Sequence, residues 1–277
     1  MSGRSLLITG CSSGIGYDAA EGMRNRGWRV FAACRKSADC ARRAEEGFAS
    51  PPSDFQRPET IESGLAEVLD ATGGTLDAVF NNGAYAIPGA VEDLPTDALR
   101  AIFEANLFGW HTLTRRVIPV MRAQGAGRIV QNSSVLGFVP MLWRGAYVST
   151  KYALEGLTDV LRLEMAGTGI HIILIEPGPI TSRIRENAVP HFERWIDVDV
   201  SPRATQYRRT LMQRLYANKT KPDPFELPPS AVTAKLAHAL ESPRPRARYF
   251  VTKPTYMMAA LRRALPTRAL DAVIRRA

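Results

Sequence analysis

A glycine-rich turn near the amino terminus constrains this chain more than any other feature. An apolar run at residues 6–8 leads into Thr-Gly-Cys-Ser-Ser-Gly-Ile-Gly at residues 9–16, and a helical pattern follows that stops near Gly27. Glycines between a strand and a helix let the backbone approach a pyrophosphate, which free amides and the helix dipole then hold. An ordinary turn is the alternative. The dinucleotide interpretation assigns cofactor contacts to Thr9, Gly10, Ser12, Ser13, Gly14, Ile15 and Gly16.

Strand-like and helical patterns alternate along the rest of the chain. Further strands, almost continuously apolar, are predicted at residues 29–34, 76–80, 128–132, 170–175 and 248–252. Helices are predicted at residues 59–72, 95–123 and 146–166. This alternation predicts an α/β fold of the Rossmann type, in which helices flank a doubly wound parallel sheet.

Two stretches depart from the alternation. A strand expected near residues 48–53 contains Pro51 and Pro52, which cannot donate to a sheet, so a short or irregular edge is predicted. Residues 183–228 contain no convincing strand and are predicted to be loop and helix, forming a substrate-binding insert. Residues 1–254 are therefore predicted to be a single domain, and residues 255–277 a basic C-terminal extension.

The charge is concentrated at the C-terminal end. The chain carries a net charge of +9, yet residues 201–277 hold 16 Lys and Arg against 4 Asp and Glu, which is +12. The arginines alternate with apolar residues at helical spacing, which predicts one or two amphipathic helices. We favour helices that pack on the domain or on a partner chain; an interfacial membrane helix is the alternative. No nucleic-acid motif accompanies the charge, so nucleic acid is not an expected partner.

The cysteines and histidines exclude other classes of site. The 3 cysteines form no Cys-x-x-Cys pair, and the 4 histidines show no metal-binding spacing, so neither a disulfide framework nor a metal site is predicted. No apolar stretch approaches the length of a membrane span, and the amino terminus lacks a signal-peptide pattern. A cytoplasmic location is expected, with membrane association through the basic extension as the open variant.

Four further residues have a familiar spacing. Tyr147 and Lys151 form a Tyr-x-x-x-Lys pair, Ser134 lies thirteen residues before the tyrosine, and Asn106 lies in the long central helix. Together with the glycine turn, residues 4–182 resemble the short-chain dehydrogenase/reductase family. The apolar loops give the chain a similarity to the 17-beta-hydroxysteroid and retinol dehydrogenase-like branch. The resemblance implies NAD(P)-dependent oxidation and reduction of alcohols and carbonyls, with these four residues as the catalytic set.

The proton chemistry can be argued from the residues themselves. A free tyrosine has a pKa of about 10 and is a poor acid–base group near neutrality. Lys151 lies four residues after Tyr147 on one predicted helix, so its cation is expected to favour the phenolate. Ser134 is expected to bind the substrate oxygen. The family resemblance implies that Lys151 also holds the nicotinamide ribose and that Asn106 supports a water-mediated proton path.

The resemblance also assigns cofactor contacts after three other strands. They are Asp54, Asn81, Asn82, Gly83, Tyr147, Lys151, Pro177, Gly178, Ile180 and Thr181. Two departures from the family pattern occur. The usual Asn-Asn-Ala-Gly is Asn-Asn-Gly-Ala at residues 81–84, and the threonine of the Pro-Gly-x-Ile-x-Thr motif is Ser182, preceded by Thr181. Either hydroxyl could serve the nicotinamide carboxamide.

The residues at the end of the second predicted strand indicate which nicotinamide cofactor is preferred. Cys34 stands where an acid would bind the ribose hydroxyl of NAD and repel a phosphate. Arg35 and Lys36 follow it and can pair with the extra phosphate of NADP. NADP(H) is therefore favoured over NAD(H), although Arg35 could instead face solvent.

The substrate is predicted only by class. Apolar side chains in the loop at residues 135–144 and in the insert indicate a lipophilic alcohol or ketone resembling a steroid, retinoid or fatty aldehyde. The same side chains could instead be core or a subunit contact. Two other functions remain open, namely a non-enzymatic NADPH-binding sensor or scaffold and a membrane-surface protein anchored by its basic tail. A homodimer or homotetramer is expected by resemblance.

Overall fold

Six parallel strands form one sheet in the part of the chain that the computed structural model describes, residues 3–217 and 222–276. The strands are β1 Ser5–Thr9, β2 Arg29–Ala33, β3 Ala78–Asn81, β4 Gly127–Asn132, β5 Ile170–Glu176 and β6 Arg248–Phe250. Their order is β2-β1-β3-β4-β5-β6, so the chain reverses direction across the sheet between β1 and β3. Ligands bind outside the carboxyl ends of strands at such a switch point.

Helices cover both faces of the sheet. They are α1 Gly14–Arg24, α2 Ser37–Glu45, α3 Pro58–Thr72, α4 Thr96–Phe103, α5 Gly109–Gln124, α6 Gly145–Glu164, α7 Ile184–Trp195, α8 Ala204–Gln206, α9 Met212–Leu215, α10 Ser230–Glu241, α11 Lys253–Ala264 and α12 Thr267–Ile274. Helices α3, α5 and α6 pack on one face, and α1 and α10 pack on the other. The predicted Rossmann-type α/β fold is confirmed.

The proline-containing edge is irregular, as predicted. Instead of a strand, two isolated bridges pair Phe31 with Ala49 and Cys34 with Pro52. Between β2 and this edge lies α2, which the sequence analysis did not predict. Its nine residues are mostly polar and bury only Arg43, so they carry almost no apolar periodicity.

The insert folds as helices around a small core of its own. Helices α7, α8 and α9 and a π-helical turn, Tyr207–Leu211, enclose a cluster that we call the insert core. The insert core consists of Ala86, Ala188, Phe192, Ile196, Tyr207, Leu211 and Leu215. Trp143 and Tyr147 pack against it, so the insert lies beside the predicted catalytic tyrosine.

The C-terminal extension packs on the domain through part of its surface. Thr255 and Ala259 of α11 and Leu270 of α12 are buried, and Arg262 donates to the Tyr152 hydroxyl of α6 at 3.0 Å. One or two amphipathic helices were predicted in this basic region, and the described part of the extension contains α11 and α12. Among the described residues, no helix is long and apolar enough to cross a membrane.

Arg248 joins the edge strand β6 to its neighbours. Its guanidinium bonds to Glu176 of β5 at 2.5 Å, to Asp159 of α6 at 2.7 Å, and to Glu155 of α6. Burial and the adjacent Glu155 raise the pKa of Glu176 above its ordinary value. This carboxyl group ends β5 immediately before Pro177, so the network holds the segment that leads to the predicted cofactor contacts.

We expect Arg248→Met to destabilise the protein by about 3 kcal/mol, because it leaves three carboxyl groups close together without their cation. A carboxyl group whose folded pKa is raised binds more protons in the folded state, so stability is lost as pH rises above about 5. The loss should therefore be larger at about pH 8 than at about pH 5.5 in urea unfolding. Arg100→Met, which breaks the exposed pair with Asp97, is the control and should change stability little. An equal effect of the two substitutions would contradict this role of Arg248.

Candidate active site

The predicted phosphate-binding turn has the close backbone packing that its glycines require. Gly10 has φ +72°, and a Cβ there would lie 2.5 Å from the Gly83 Cα. A Cβ on Gly16 would lie 2.3 Å from the Gly10 carbonyl oxygen. Ser13 precedes α1, and its side chain does not cap the helix. The first amides of α1 thus remain available to an anion, and these features fit a dinucleotide phosphate.

Polar side chains tie together the carboxyl ends of β1, β3 and β4. The Thr9 hydroxyl accepts hydrogen bonds from the amides of Asn82 at 2.9 Å and Gly83 at 3.2 Å. The Asn82 side chain donates to the Thr9 carbonyl at 3.0 Å and accepts from the Asn132 side chain at 2.8 Å. These contacts set the position of the loop that follows β3.

Asn81 and Gly83 occupy different environments in that loop. The Asn81 side chain is fully buried and donates to Thr114 at 3.2 Å and Gln131 at 3.0 Å, so it points into the core. The Gly83 carbonyl accepts a hydrogen bond from the indole nitrogen of Trp110 at 2.8 Å. A Cβ on Gly83 would lie 3.3 Å from both the Gly10 nitrogen and the Phe55 ring, so this position favours glycine.

Tyr147 and Ser134 come together beside this loop. Ser134 precedes a short 3₁₀ turn after β4 and accepts from the Leu136 amide at 3.1 Å, while Tyr147 lies in the first turn of α6. Burial raises the pKa of Tyr147 to about 12, although a hydrogen bond from Ser134 and the charge of Arg144 act in the opposite direction. The Tyr-x-x-x-Lys spacing predicts a lowered pKa for Tyr147. In this structure the effect of burial on that pKa outweighs the groups that lower it.

Lys151 is buried below the tyrosine. Its Nζ donates to the Asn132 carbonyl at 2.8 Å and lies 4.2 Å from the centre of the Trp110 ring and 5.6 Å from that of Tyr147. Burial lowers the pKa of Lys151 to about 7. Its charge is therefore held by a carbonyl and an aromatic face, which are weaker partners than a carboxylate.

Asn106 positions the backbone near the site. It lies in a π-helical turn, Glu104–Phe108, between α4 and α5. Its side chain accepts from the Tyr85 amide at 3.1 Å and donates to the Tyr85 carbonyl at 2.9 Å. It reaches the Thr150 hydroxyl at 3.4 Å, one residue before Lys151. The side chain thus links the loop after β3 to α6.

The segment after β5 lies across the glycine turn. A Cβ on Gly14 would lie 3.4 Å from the Ser182 Cβ, and one on Gly178 would lie 2.1 Å from the Thr252 hydroxyl. Ile180 bridges to Leu227, and the Thr181 hydroxyl donates to Glu226 at 2.7 Å. Of the two candidate hydroxyls, Ser182 is therefore the one beside the glycine turn.

Comparison with known proteins agrees with this arrangement. The family model for short chain dehydrogenases matches residues 4–192, more than half of the chain. The chain belongs to the short-chain dehydrogenase family. As its relatives are named oxidoreductases and dehydrogenases, it is an NAD(P)-dependent oxidoreductase.

Individual relatives cover most of this short-chain dehydrogenase. The uncharacterized oxidoreductase YbbO of Escherichia coli strain K12 is 37% identical over 98% of this chain and 94% of its own length. Human 17-beta-hydroxysteroid dehydrogenase type 1 is 28% identical over 90% of this chain and 77% of its own length. A short-chain dehydrogenase structure from Streptomyces avermitilis has a TM-score of 0.77 and 26% identity, covering 98% of this chain and 94% of the other. The predicted family and its hydroxysteroid dehydrogenase-like relatives are confirmed.

The end of β2 carries the residues predicted to select the cofactor of this dehydrogenase. Cys34 is buried, whereas Arg35 and Lys36 are exposed. Burial raises the pKa of Tyr85 to about 12 and lowers that of His191, and the charge of Arg35 acts on both groups. An exposed guanidinium and an exposed ammonium therefore follow β2 and Cys34, where the sequence predicts contact with a phosphate. Asp54 lies on the irregular edge, where its carboxylate accepts from the Gln56 amide at 3.1 Å and pairs with Arg57 at 3.3 Å.

Sequence reasoning missed two residues of the site. Arg42 of α2 donates to the Ser12 carbonyl in the glycine turn at 2.6 Å. It adds a third cation to Arg35 and Lys36 at this end of the predicted cofactor site. Trp110 lies under Lys151. Arg42 was missed with its helix, and Trp110 had the pattern of an ordinary core residue. Among the described residues, no cluster of His, Cys, Asp and Glu could hold a metal ion.

We expect the Tyr147 phenol of the cofactor-free protein to remain protonated up to about pH 11, because burial raises its pKa. An ultraviolet titration of wild type minus Tyr147→Phe would measure this ionisation. Ser134→Ala should move it to still higher pH by removing a hydrogen bond that favours the phenolate. A phenolate that appears near neutrality in the difference spectrum would contradict the buried environment.

Proposed function

We propose that this short-chain dehydrogenase is NADP(H)-dependent and interconverts a lipophilic alcohol and its ketone or aldehyde. The observation that carries the proposal is the meeting of Tyr147 and Ser134, above Lys151, which hydrogen bonds through Asn132 and Asn82 connect to the glycine turn after β1. An acid, a hydrogen-bond donor and a phosphate cradle at one strand edge suit hydride transfer to a carbonyl group.

A bound nicotinamide dinucleotide would supply the hydride. Thr9 and Gly10, with the turn at residues 12–16, would hold its phosphates, and the segment at residues 177–182 would face the nicotinamide end. Ser134 would donate a hydrogen bond to the carbonyl oxygen of the substrate. Tyr147 Oη would donate its proton to that oxygen as negative charge develops, and in the reverse direction the phenolate would accept it.

Lys151 would act on the tyrosine through charge. Its pKa is about 7 in the cofactor-free protein, so the Lys151 side chain is partly deprotonated at physiological pH. Any anionic group that binds nearby favours the ammonium, which in turn favours the phenolate form of Tyr147. Asn106 would hold the loop after β3 in position against α6. We also propose that it supports the water-mediated proton path.

The walls beside Tyr147 support an apolar substrate. Trp143 contacts Tyr207 with ring centres 4.7 Å apart and the planes tilted by 43°, and Phe192 contacts the same tyrosine. His191 stacks on Tyr85 at 4.0 Å near Arg35. Leu142 and Met141 of the neighbouring loop are exposed, so they are available to cover a substrate.

The faces of α5 and α6 support self-association. A cavity of about 150 Å³ lies between these helices, with Leu157 and Val160 exposed in its lining, and Leu163 of α6 and Phe108, which precedes α5, are exposed as well. Apolar side chains gathered on one surface are typical of a subunit contact. We propose that the chain forms a homodimer or homotetramer through this surface.

We expect Tyr147→Phe to reduce turnover by about 10²–10⁴-fold, because it removes the proton donor while keeping the ring. NADPH oxidation measured with steroids, retinoids, fatty aldehydes and small ketones tests this, with NADPH binding followed by fluorescence as the control for folding. Tight NADPH binding without any turnover that the Tyr147→Phe substitution reduces would contradict the proposed reaction and favour a cofactor-binding sensor.

We expect Arg35→Glu to lower kcat/KM with NADPH by about 10–100-fold and to leave the value with NADH nearly unchanged, since a guanidinium binds the extra phosphate and a carboxylate repels it. Steady-state kinetics with both cofactors would measure the ratio. Arg29→Glu, at the exposed first residue of β2 and therefore at the opposite end of that strand, is the matched control. If Arg35→Glu keeps the preference for NADPH over NADH, Arg35 does not bind the extra phosphate of NADPH.

A further inference from the structure

Arg144 is a cation held beside the catalytic tyrosine. It precedes α6 directly and lies three residues before Tyr147. Its carbonyl accepts from the Val148 amide at 2.8 Å, its own amide donates to the Met141 carbonyl at 3.3 Å, and it bridges to Gly89. Trp143, just before it, has φ +64° and contacts Tyr207 of the insert core with its ring tilted. These backbone contacts therefore fix the position of the Arg144 Cα atom.

The guanidinium of Arg144 has no compensating group in the described part of the chain. No carboxylate or hydrogen-bond acceptor there pairs with it, although the residue is partly withdrawn from solvent. Burial lowers the pKa of Arg144 to about 10, and the charges of Arg214 and Arg185 lower it further while Tyr147 raises it. An arginine pKa normally lies above about 12, so its environment disfavours the cation strongly.

The two neighbouring arginines come from the insert. Arg185 belongs to α7 and pairs with Asp223 at 2.9 Å, and Arg214 belongs to α9 and reaches the same carboxylate at 3.7 Å. Asp223 thus serves both insert arginines, whereas no described ion pair joins it to Arg144. Arg185 of α7 and Arg214 of α9 therefore lie together at one carboxylate, and their charges act on Arg144, which precedes α6 next to Tyr147.

Such a cluster is costly in the absence of an anion. Like charges that are partly desolvated repel each other, and an unpaired buried cation is strongly unfavourable. The planar guanidinium binds carboxylate and phosphate oxygens in pairs, which would offset that cost. The apolar insert core adjoins the same region, so the ligand that fits is an amphiphile with one anionic group.

We propose that Arg144, supported by Arg185 and Arg214, binds an anionic group of the substrate, a carboxylate or phosphate, and so presents the substrate carbonyl to Tyr147. This inference rests on the proposed function and narrows its lipophilic substrate to a keto acid or an oxo-alkyl phosphate. Anion recognition would then set the end-to-end orientation of the substrate, while the exposed side chains of Met141 and Leu142 in the neighbouring loop would contact its chain.

Kinetics with a matched pair of substrates tests the assignment. NADPH oxidation is measured with 4-oxodecanoate and with its uncharged methyl ester. For wild type we expect kcat/KM to favour the acid by about tenfold or more, mostly through KM, and added salt should reduce this preference. In Arg144→Met the ratio should fall to about one, while Arg209→Met, an exposed arginine of the same insert, should keep the wild-type ratio.

Binding to the enzyme–NADPH complex is a second test, which needs no turnover. Calorimetry compares octanoate, octyl phosphate and 1-octanol with wild type, Arg144→Met and Arg209→Met. Anion binding that is about tenfold tighter than alcohol binding and is lost only in Arg144→Met supports the inference, and the better of the two anions identifies the headgroup. Equal binding of anions and alcohol, or a preference that survives Arg144→Met, overturns it.

The same measurements separate the two proposals. If no ketone is turned over but octanoate binding depends on Arg144, the anion site stands and the proposed reaction fails. If ketones are turned over without preference for the acid, the reaction stands and the anion site fails. The thermal midpoint of Arg144→Met should be no lower than that of wild type, because an uncompensated cation has been removed.

Discussion

The close approach of two backbone segments at the carboxyl ends of β1 and β3 determines how the rest of the site is built. Gly10 and Gly83 pack so tightly that neither position accommodates a side chain without movement. The carbonyl of Gly83 is then held by Trp110, and Trp110 lies under the Lys151 ammonium. Lys151 in turn bonds to the end of β4. One contact between the loops that follow β1 and β3 thus sets the height of Lys151 relative to the glycine turn.

The fold and the main members of the site could be predicted because their signals are local. Alternating apolar runs and helical periods locate the sheet, and the spacing of Ser134, Tyr147 and Lys151 depends only on strand and helix geometry. The pKa of Tyr147 could not be predicted, since it depends on how completely the insert buries the phenol. For the same reason the burial of Asn81 and the role of Trp110 became visible only in three dimensions.

The exchange of small residues at positions 83 and 84 has a physical explanation in this structure. Gly83, in place of the alanine of the family pattern, lies against Phe55, whose ring also contacts Trp110 at 6.4 Å between centres. A methyl group there would press on this aromatic pair and on Gly10. The glycine therefore makes room for the aromatic pair of Phe55 and Trp110, and the small residue and the large indole complement each other in volume.

The contact between Gly178 and Thr252 joins two distant parts of the chain. Gly178 belongs to the segment that follows β5, whereas Thr252 immediately precedes α11, and their atoms leave no room for even one additional carbon. The two segments therefore share one packed surface. A displacement of α11 would also disturb the segment after β5, so binding at the one would be thermodynamically linked to the docking of the other.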